Sequence, residues 1–155
     1  MRRIDGVDRL ACTAPDCLFV HWDNPVPVVA ALVEYQGRIV LARNAKWMES
    51  VFGMITGYLE RGETPEAAVV REVKEELNLD AVVKESFGCH ALIERNQLVL
   101  PYWVVATGEL TTGAEISETR LLTPAELERW DFGRFKLTAA FVRRWLDRQN
   151  ADGPA

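Results

Sequence analysis

Glu72, Glu75 and Glu76 crowd into the short run REVKEEL. On a helix, residues three and four apart are neighbours, so Glu72 faces both of the others, and each like-charge pair costs about 0.2–0.5 kcal/mol. Lys74 projects away from them, and Arg71 is one cation against three anions. A hard divalent cation reverses this balance. Mg²⁺ takes oxygen ligands, keeps several waters and bridges protein carboxylates to substrate phosphates. Without such an ion, the same surface repels a phosphorylated ligand. A solvated acidic face is the competing reading, and the spacing by itself leaves both standing.

The carboxylates need a rigid helix. Thr64 is placed to N-cap one, Pro65 suits its first position and Glu66 favours its positive end. Val69, Val73 and Leu77 form an apolar face, and Asn78 suits the left-handed position that ends the helix. Before it, VPVVAALVEY and RIVLARN read as strands joined by a tight turn at Gln36-Gly37, and VFGMIT is a short apolar run. After it, strands are expected within AVVKESFGCHALIER and QLVLPYWVVATGEL, with another near Arg120 to Leu122. A small helix opens at Thr123-Pro124. A last helix is expected over 135–148, with Leu137, Phe141 and Trp145 on its apolar stripe. Residues 1–25 read as irregular and 149–155 as a loose tail. The domain is therefore expected at 26–148, as an α/β layer fold around one sheet.

The segment from Gly57 to Leu79 is specific. Gly57, Glu63, Arg71-Glu72, Val73, Glu75-Glu76, Leu77 and Leu79 resemble the Nudix box, with Asn78 where the motif has a glycine. Asn tolerates the left-handed conformation better than most residues, so the helix end survives the change. The resemblance implies an α/β/α sandwich around a mixed sheet, with the box forming a loop, helix and loop. It implies hydrolysis of a diphosphate in a nucleoside-diphosphate-linked compound, such as a nucleotide sugar or dinucleotide, with Mg²⁺ or Mn²⁺ as cofactor. By the same resemblance Glu72, Glu75 and Glu76 are metal ligands, joined by a backbone carbonyl near Gly57. In AEISETRLLTPAEL, Glu115 matches a further family ligand, with Glu118 as second choice. The four glutamates are the candidate catalytic set, and the general base stays open among Glu72, Glu75 and Glu115. Glu63 and Arg71 are expected to brace the box, and Arg71 is also a candidate substrate contact. Trp47 and Phe52 are the preferred aromatics for stacking on a base, ahead of Trp22, Tyr58, Tyr102 and Trp103. The alternative function is a non-catalytic nucleotide-sensing module, against which the complete acidic set argues.

The run CTAPDCLFVHWDNPVPVV resembles the end of the zinc ribbon that precedes the Nudix domain in NADH pyrophosphatases. Four residues rather than two lie between Cys12 and Cys17, and no upstream cysteine pair accompanies them. A structural zinc site wants four ligands. His21, with Cys89 or His90, would have to complete it, and zinc is not expected. RNQLVLPYWVVA does not reproduce the motif that follows the box in NADH pyrophosphatases.

The whole chain sets the remaining bounds. Its 155 residues suit one domain with a substantial core. A net charge of -5 argues against a general nucleic-acid binder, and the family resemblance implies a nucleotide-derived small molecule as the partner. No apolar run is long enough to span a membrane, and MRRIDGVDRL lacks the apolar core of a secretory signal. Three cysteines give no disulfide framework, so a reducing cytoplasm is expected. Homodimers are frequent in the family, and a homodimer is an open expectation.

Overall fold

The computed structural model describes residues 1–47 and 51–151. The expected hairpin is there: β4 (Val26–Tyr35) and β5 (Arg38–Asn44) pair antiparallel across a turn in which Gln36 and Gly37 both take positive φ. β6 (Ile55–Tyr58) follows and pairs with the first half of β4, so β5 and β6 share one edge of that strand. The other edge of β4 pairs in parallel with β9 (Gln97–Thr107) along its whole length, from Val26 opposite Gln97 to Tyr35 opposite Ala106. β7 (Asp80–Ser86) and β8 (His90–Leu92) occupy the far edge of β9, and β10 (Ile116–Leu122) closes the sheet beyond β5. The result is a seven-stranded mixed sheet.

Both faces of that sheet are covered, which is why β4 reads as an unbroken apolar run. Val29, Ala31, Val33 and Tyr35 point to one side and pack with Ala68, Val69, Val73 and Leu77 of α1 (Pro65–Leu77). Ala30 and Leu32 point to the other and pack with Phe141, Val142, Trp145 and Leu146 of α3 (Lys136–Ala151). Between the two core helices in sequence, α2 (Pro124–Leu127) is a single turn with a capping box between Thr123 and Glu126. This is an α/β/α sandwich.

Polar side chains tie α3 to the sheet. Trp103 and Trp145 both donate their indole N–H to Glu34 Oε2, at 3.0 and 3.1 Å. Arg144 and Arg148 both reach Glu85 Oε1, at 2.7 and 2.8 Å.

Three expectations need correction. Residues 1–25 are not irregular: β1 (Arg2–Ile4), β2 (Val7–Ala11) and β3 (Val20–His21) form a separate antiparallel three-stranded sheet. Its strands are short and largely exposed, with only Ala11 buried, so the sequence carries no clear alternation there. The last helix does not stop at Arg148 but continues through Gln149 and Asn150 to Ala151; residues 152–155 of the expected tail lie outside the described residues. The strand expected near Arg120 begins four residues earlier, at Ile116. No helix among the described residues is long and apolar enough to cross a membrane.

Candidate active site

α1 begins as its sequence directs. Thr64 is extended and its hydroxyl accepts from the Ala67 N–H at 3.2 Å. Asn78 ends the helix at φ 58°, its N–H bonding to the Lys74 carbonyl. With Val69, Val73 and Leu77 buried against the sheet, Glu72 and Glu76 flank the apolar stripe and are half-buried, while Glu75 is exposed.

β6 brings Gly57 opposite Glu72. A Cβ on Gly57 would overlap the Glu72 carboxyl group, so glycine leaves the space in which that carboxyl lies against the strand. Arg71 lies beside them and uses all five of its N–H donors inside the box. It forms a two-pronged pair with Glu63 at 3.1 and 2.8 Å, reaches Glu72 at 2.8 Å and Glu75 at 3.2 Å, and donates to the Tyr58 carbonyl at 3.1 Å. Glu63 also accepts from the Glu60 N–H at 2.7 Å. This is the bracing geometry; no donor of Arg71 is left for a ligand. Lys74 turns away to Asp80.

The charges perturb one another. Arg71, and after it the Glu60 N–H, holds the Glu63 carboxyl below its usual range. Burial pushes Glu72 up, with Arg71 pulling the other way. Glu76 has no cation to offset its surroundings. Burial, then Glu72, Glu115 and Glu75, push it up to about 7. Glu76 also lines a recess of about 10 Å³, room for roughly one water, together with Asn44, Trp47, Thr56 and Ile116.

The loop before β10 is what brings Glu115 there. Thr111 N–H bonds to Leu77 O at 3.1 Å, Gly113 N–H to Glu76 O at 2.9 Å, and the Asn78 side chain to Glu109 O at 3.3 Å. A Cβ on Gly113 would come 2.6 Å from the Glu75 carbonyl, so the loop's seat on the helix end depends on that glycine. Sequence reasoning missed Gly113; a glycine in TTGAE preceding the candidate ligand was the signal. Glu118, the second choice, is paired with Arg43 and Arg120 instead.

Phe52 is not an available stacking surface. It is 6% exposed, with Trp130 edge-on at 6.0 Å and the Arg120 guanidinium 5.5 Å from its ring. Tyr102 is buried and donates to Glu66, Trp103 is held by Glu34, and Trp22 lies under Arg9. Trp47 is half-buried and lines the Glu76 recess. Cys12 and Cys17 approach within hydrogen-bonding reach; the Ala14 N–H, then Cys17, lower the Cys12 thiol. His21 turns to Asp23, and His90 bonds to the Phe87 carbonyl. Among the described residues, no three acidic, histidine or cysteine side chains converge tightly enough to hold an ion as they stand. At the box, Arg71 draws Glu72 and Glu75 toward itself.

The NUDIX domain model matches residues 23–141. The chain belongs to the NUDIX family. The matched stretch begins at the junction between the small sheet and β4. Among curated relatives, the NAD-capped RNA hydrolase NudC of Vibrio atlanticus is 33% identical over 81 residues. That match takes in 52% of this chain and 30% of NudC, so the chain spans about a third of that relative's length. The ADP-ribose pyrophosphatase of Methanocaldococcus jannaschii is 29% identical over 133 residues, covering 81% of this chain and 76% of the relative. In fold, the NUDIX hydrolase of Nitrosomonas europaea superposes with a TM-score of 0.80 at 23% identity, over 95% of this chain and 83% of the other.

Proposed function

We propose that this NUDIX chain is a hydrolase, dependent on Mg²⁺ or Mn²⁺, that cleaves the diphosphate of a nucleoside-diphosphate-linked compound to release a nucleoside monophosphate. The observation that carries the reading is the packing of Gly57 against the Glu72 carboxyl, with Glu75, Glu76 and Glu115 gathered around the same helix end. An all-oxygen donor set with too little positive charge of its own suits a hard dication. The raised value of Glu76 comes first from burial and then from the uncompensated charges of Glu72, Glu115 and Glu75.

Glu72, Glu75, Glu76, Glu115 and the carbonyl near Gly57 would hold the ion. Glu75, exposed, is free to turn from Arg71 toward it. The bound ion supplies charge neutralisation for the diphosphate and a more acidic water. Arg71 fixes the orientation of Glu63 and holds one oxygen of Glu72 close to the box. Water attacks one phosphorus, the bridging P–O bond breaks, and the water's proton passes to a carboxylate among Glu72, Glu75 and Glu115. Nucleotide sugars and dinucleotides rank ahead of triphosphates, in keeping with the activity named for the Methanocaldococcus relative.

The test is a panel of nucleotide sugars, dinucleotides and nucleoside triphosphates, assayed with Mg²⁺ or Mn²⁺ and with products identified. Metal-dependent release of nucleoside monophosphate is expected. Tight binding across the panel without turnover would instead make the chain a nucleotide sensor.

A further inference from the structure

The last turn of any α-helix leaves carbonyls without partners inside the helix. At the end of α1 the segment 108–115 supplies those partners: the Thr111 and Gly113 N–H groups take the Leu77 and Glu76 carbonyls. The segment is pinned at both ends. The Tyr35 hydroxyl donates to Gly108 O at 2.9 Å, and the Ala45 N–H donates to Glu115 O at 2.8 Å. One side chain reaches across from the helix end, where Asn78 donates its amide to Glu109 O at 3.3 Å. Asn78 stands where the Nudix box has a glycine. Its backbone, at φ 58°, does what a glycine would do there, so the helix still ends in a left-handed residue. The amide is an addition, because glycine has no side chain to donate. Glu115 lies close enough for its charge to act on Glu76. With no ion between them the two carboxylates repel, which pushes the segment off the helix. The two backbone bonds and the Asn78 amide oppose that push.

We infer that Asn78 is a positioning residue, whose side-chain amide clamps the segment 108–115 to the end of α1 and so holds Glu115 beside Glu76 for a divalent cation. The inference rests on the metal-dependent reading above and deepens it. Asn78 is exposed and bonds to a backbone carbonyl, so it touches neither the ion nor the substrate. It acts only through the placement of Glu115. The substitution of the motif glycine is therefore a gain of grip on the loop, made without losing the helix end. Its effect belongs to metal affinity more than to stability, since a glycine at the same place caps the helix as well or better.

The experiment measures Mn²⁺ binding by calorimetry, without substrate, in the wild type, Asn78→Gly, Glu115→Gln and the double variant. Asn78→Gly restores the motif residue and removes only the amide. Its Mn²⁺ affinity should fall about threefold to tenfold, the worth of one hydrogen bond. Amide hydrogen exchange at Thr111 and Gly113 should quicken by a similar factor, and the melting temperature should stay within about 4 °C of the wild type. In the Glu115→Gln background, Asn78→Gly should change Mn²⁺ affinity by less than about twofold, because no ligand is left for the amide to place. The inference is overturned if the wild type binds no Mn²⁺, if Asn78→Gly leaves the affinity within about twofold, or if its effect is equally large with Glu115→Gln present. A fall in melting temperature well beyond that range would make the amide a support of the whole fold, and would overturn it too. Mn²⁺ binding with the expected pattern but no turnover across the substrate panel would remove the hydrolase reading and leave the clamp standing. Turnover by the wild type with unaltered Mn²⁺ binding in Asn78→Gly would do the reverse.

Discussion

Glu76 concentrates the electrostatic conflict of the site, and two outcomes follow at the scale of that residue. Glu76→Gln should lower turnover by at least about 100-fold, more than loss of an outer support costs a metal site, while circular dichroism shows an unchanged fold. Near-normal activity in this variant would refute the mechanism. The second outcome concerns pH in the ion-free protein. The Glu76 value is raised in the folded state, so the proton is held more tightly there than in the unfolded chain. Its protonated form is compatible with the fold below the unfolded value, and a penalty accumulates as pH rises through about 7. The melting temperature of protein in chelator should accordingly fall from pH 5 to pH 8 by this contribution. Glu76→Gln should flatten that fall, and added Mg²⁺ should restore the wild-type midpoint at pH 8. Metal affinity should drop as pH is lowered below about 7, since ligation requires the anion.

At the scale of the element, the site is a helix, a strand and a loop held in contact by two glycines and one arginine. Gly57→Ala should force β6 and the Glu72 carboxyl apart, and should reduce kcat at least about tenfold, as small misplacements of catalytic groups do. Arg71→Lys cannot reproduce the two-pronged pair with Glu63 or the bond to Tyr58 O. It should cost about 1–3 kcal/mol of stability, read as a lower urea midpoint, through partly buried acceptors left unpaired. The contrast between what was and was not legible in the sequence also lies here. α1 announces itself through Thr64, Pro65 and the Val69–Val73–Leu77 spacing, because capping and periodicity are local. β4 and β5 do so through Gln36-Gly37. Phe52 and Trp47 look equivalent as neighbours of the box, yet one enters the α3-side core and the other lines the Glu76 recess. That difference is set by what each side chain packs against in the folded chain, a tertiary fact. Gly113 and Phe135 act across long sequence separations, on Glu75 and Trp47 respectively; the glycine in TTGAE hints at the first, and no local pattern marks the second.

At the scale of the whole molecule, the small sheet β1 to β3 stands apart from the sandwich. It buries little, and the NUDIX match begins at residue 23, after its last strand. A chain lacking residues 1–21 should keep its fold. Its melting temperature should shift by no more than about 4 °C, equivalent to about 1 kcal/mol for a chain of this size. A large loss would mean that β1 to β3 support the sandwich. The parallel pairing of β4 with β9 was beyond sequence reasoning, since adjacency of strands separated by a helix and four further strands depends on the global topology.

The Glu34 carboxylate, accepting from Trp103 on β9 and Trp145 on α3, has a practical meaning for anyone watching this protein unfold. Two of its five tryptophans share one acceptor across a helix–sheet seam. If α3 peels away first, both indoles change environment together while the α1 side stays packed. Emission would then move ahead of far-ultraviolet dichroism in a denaturant titration. Coincident curves would mean that the two layers come apart as one.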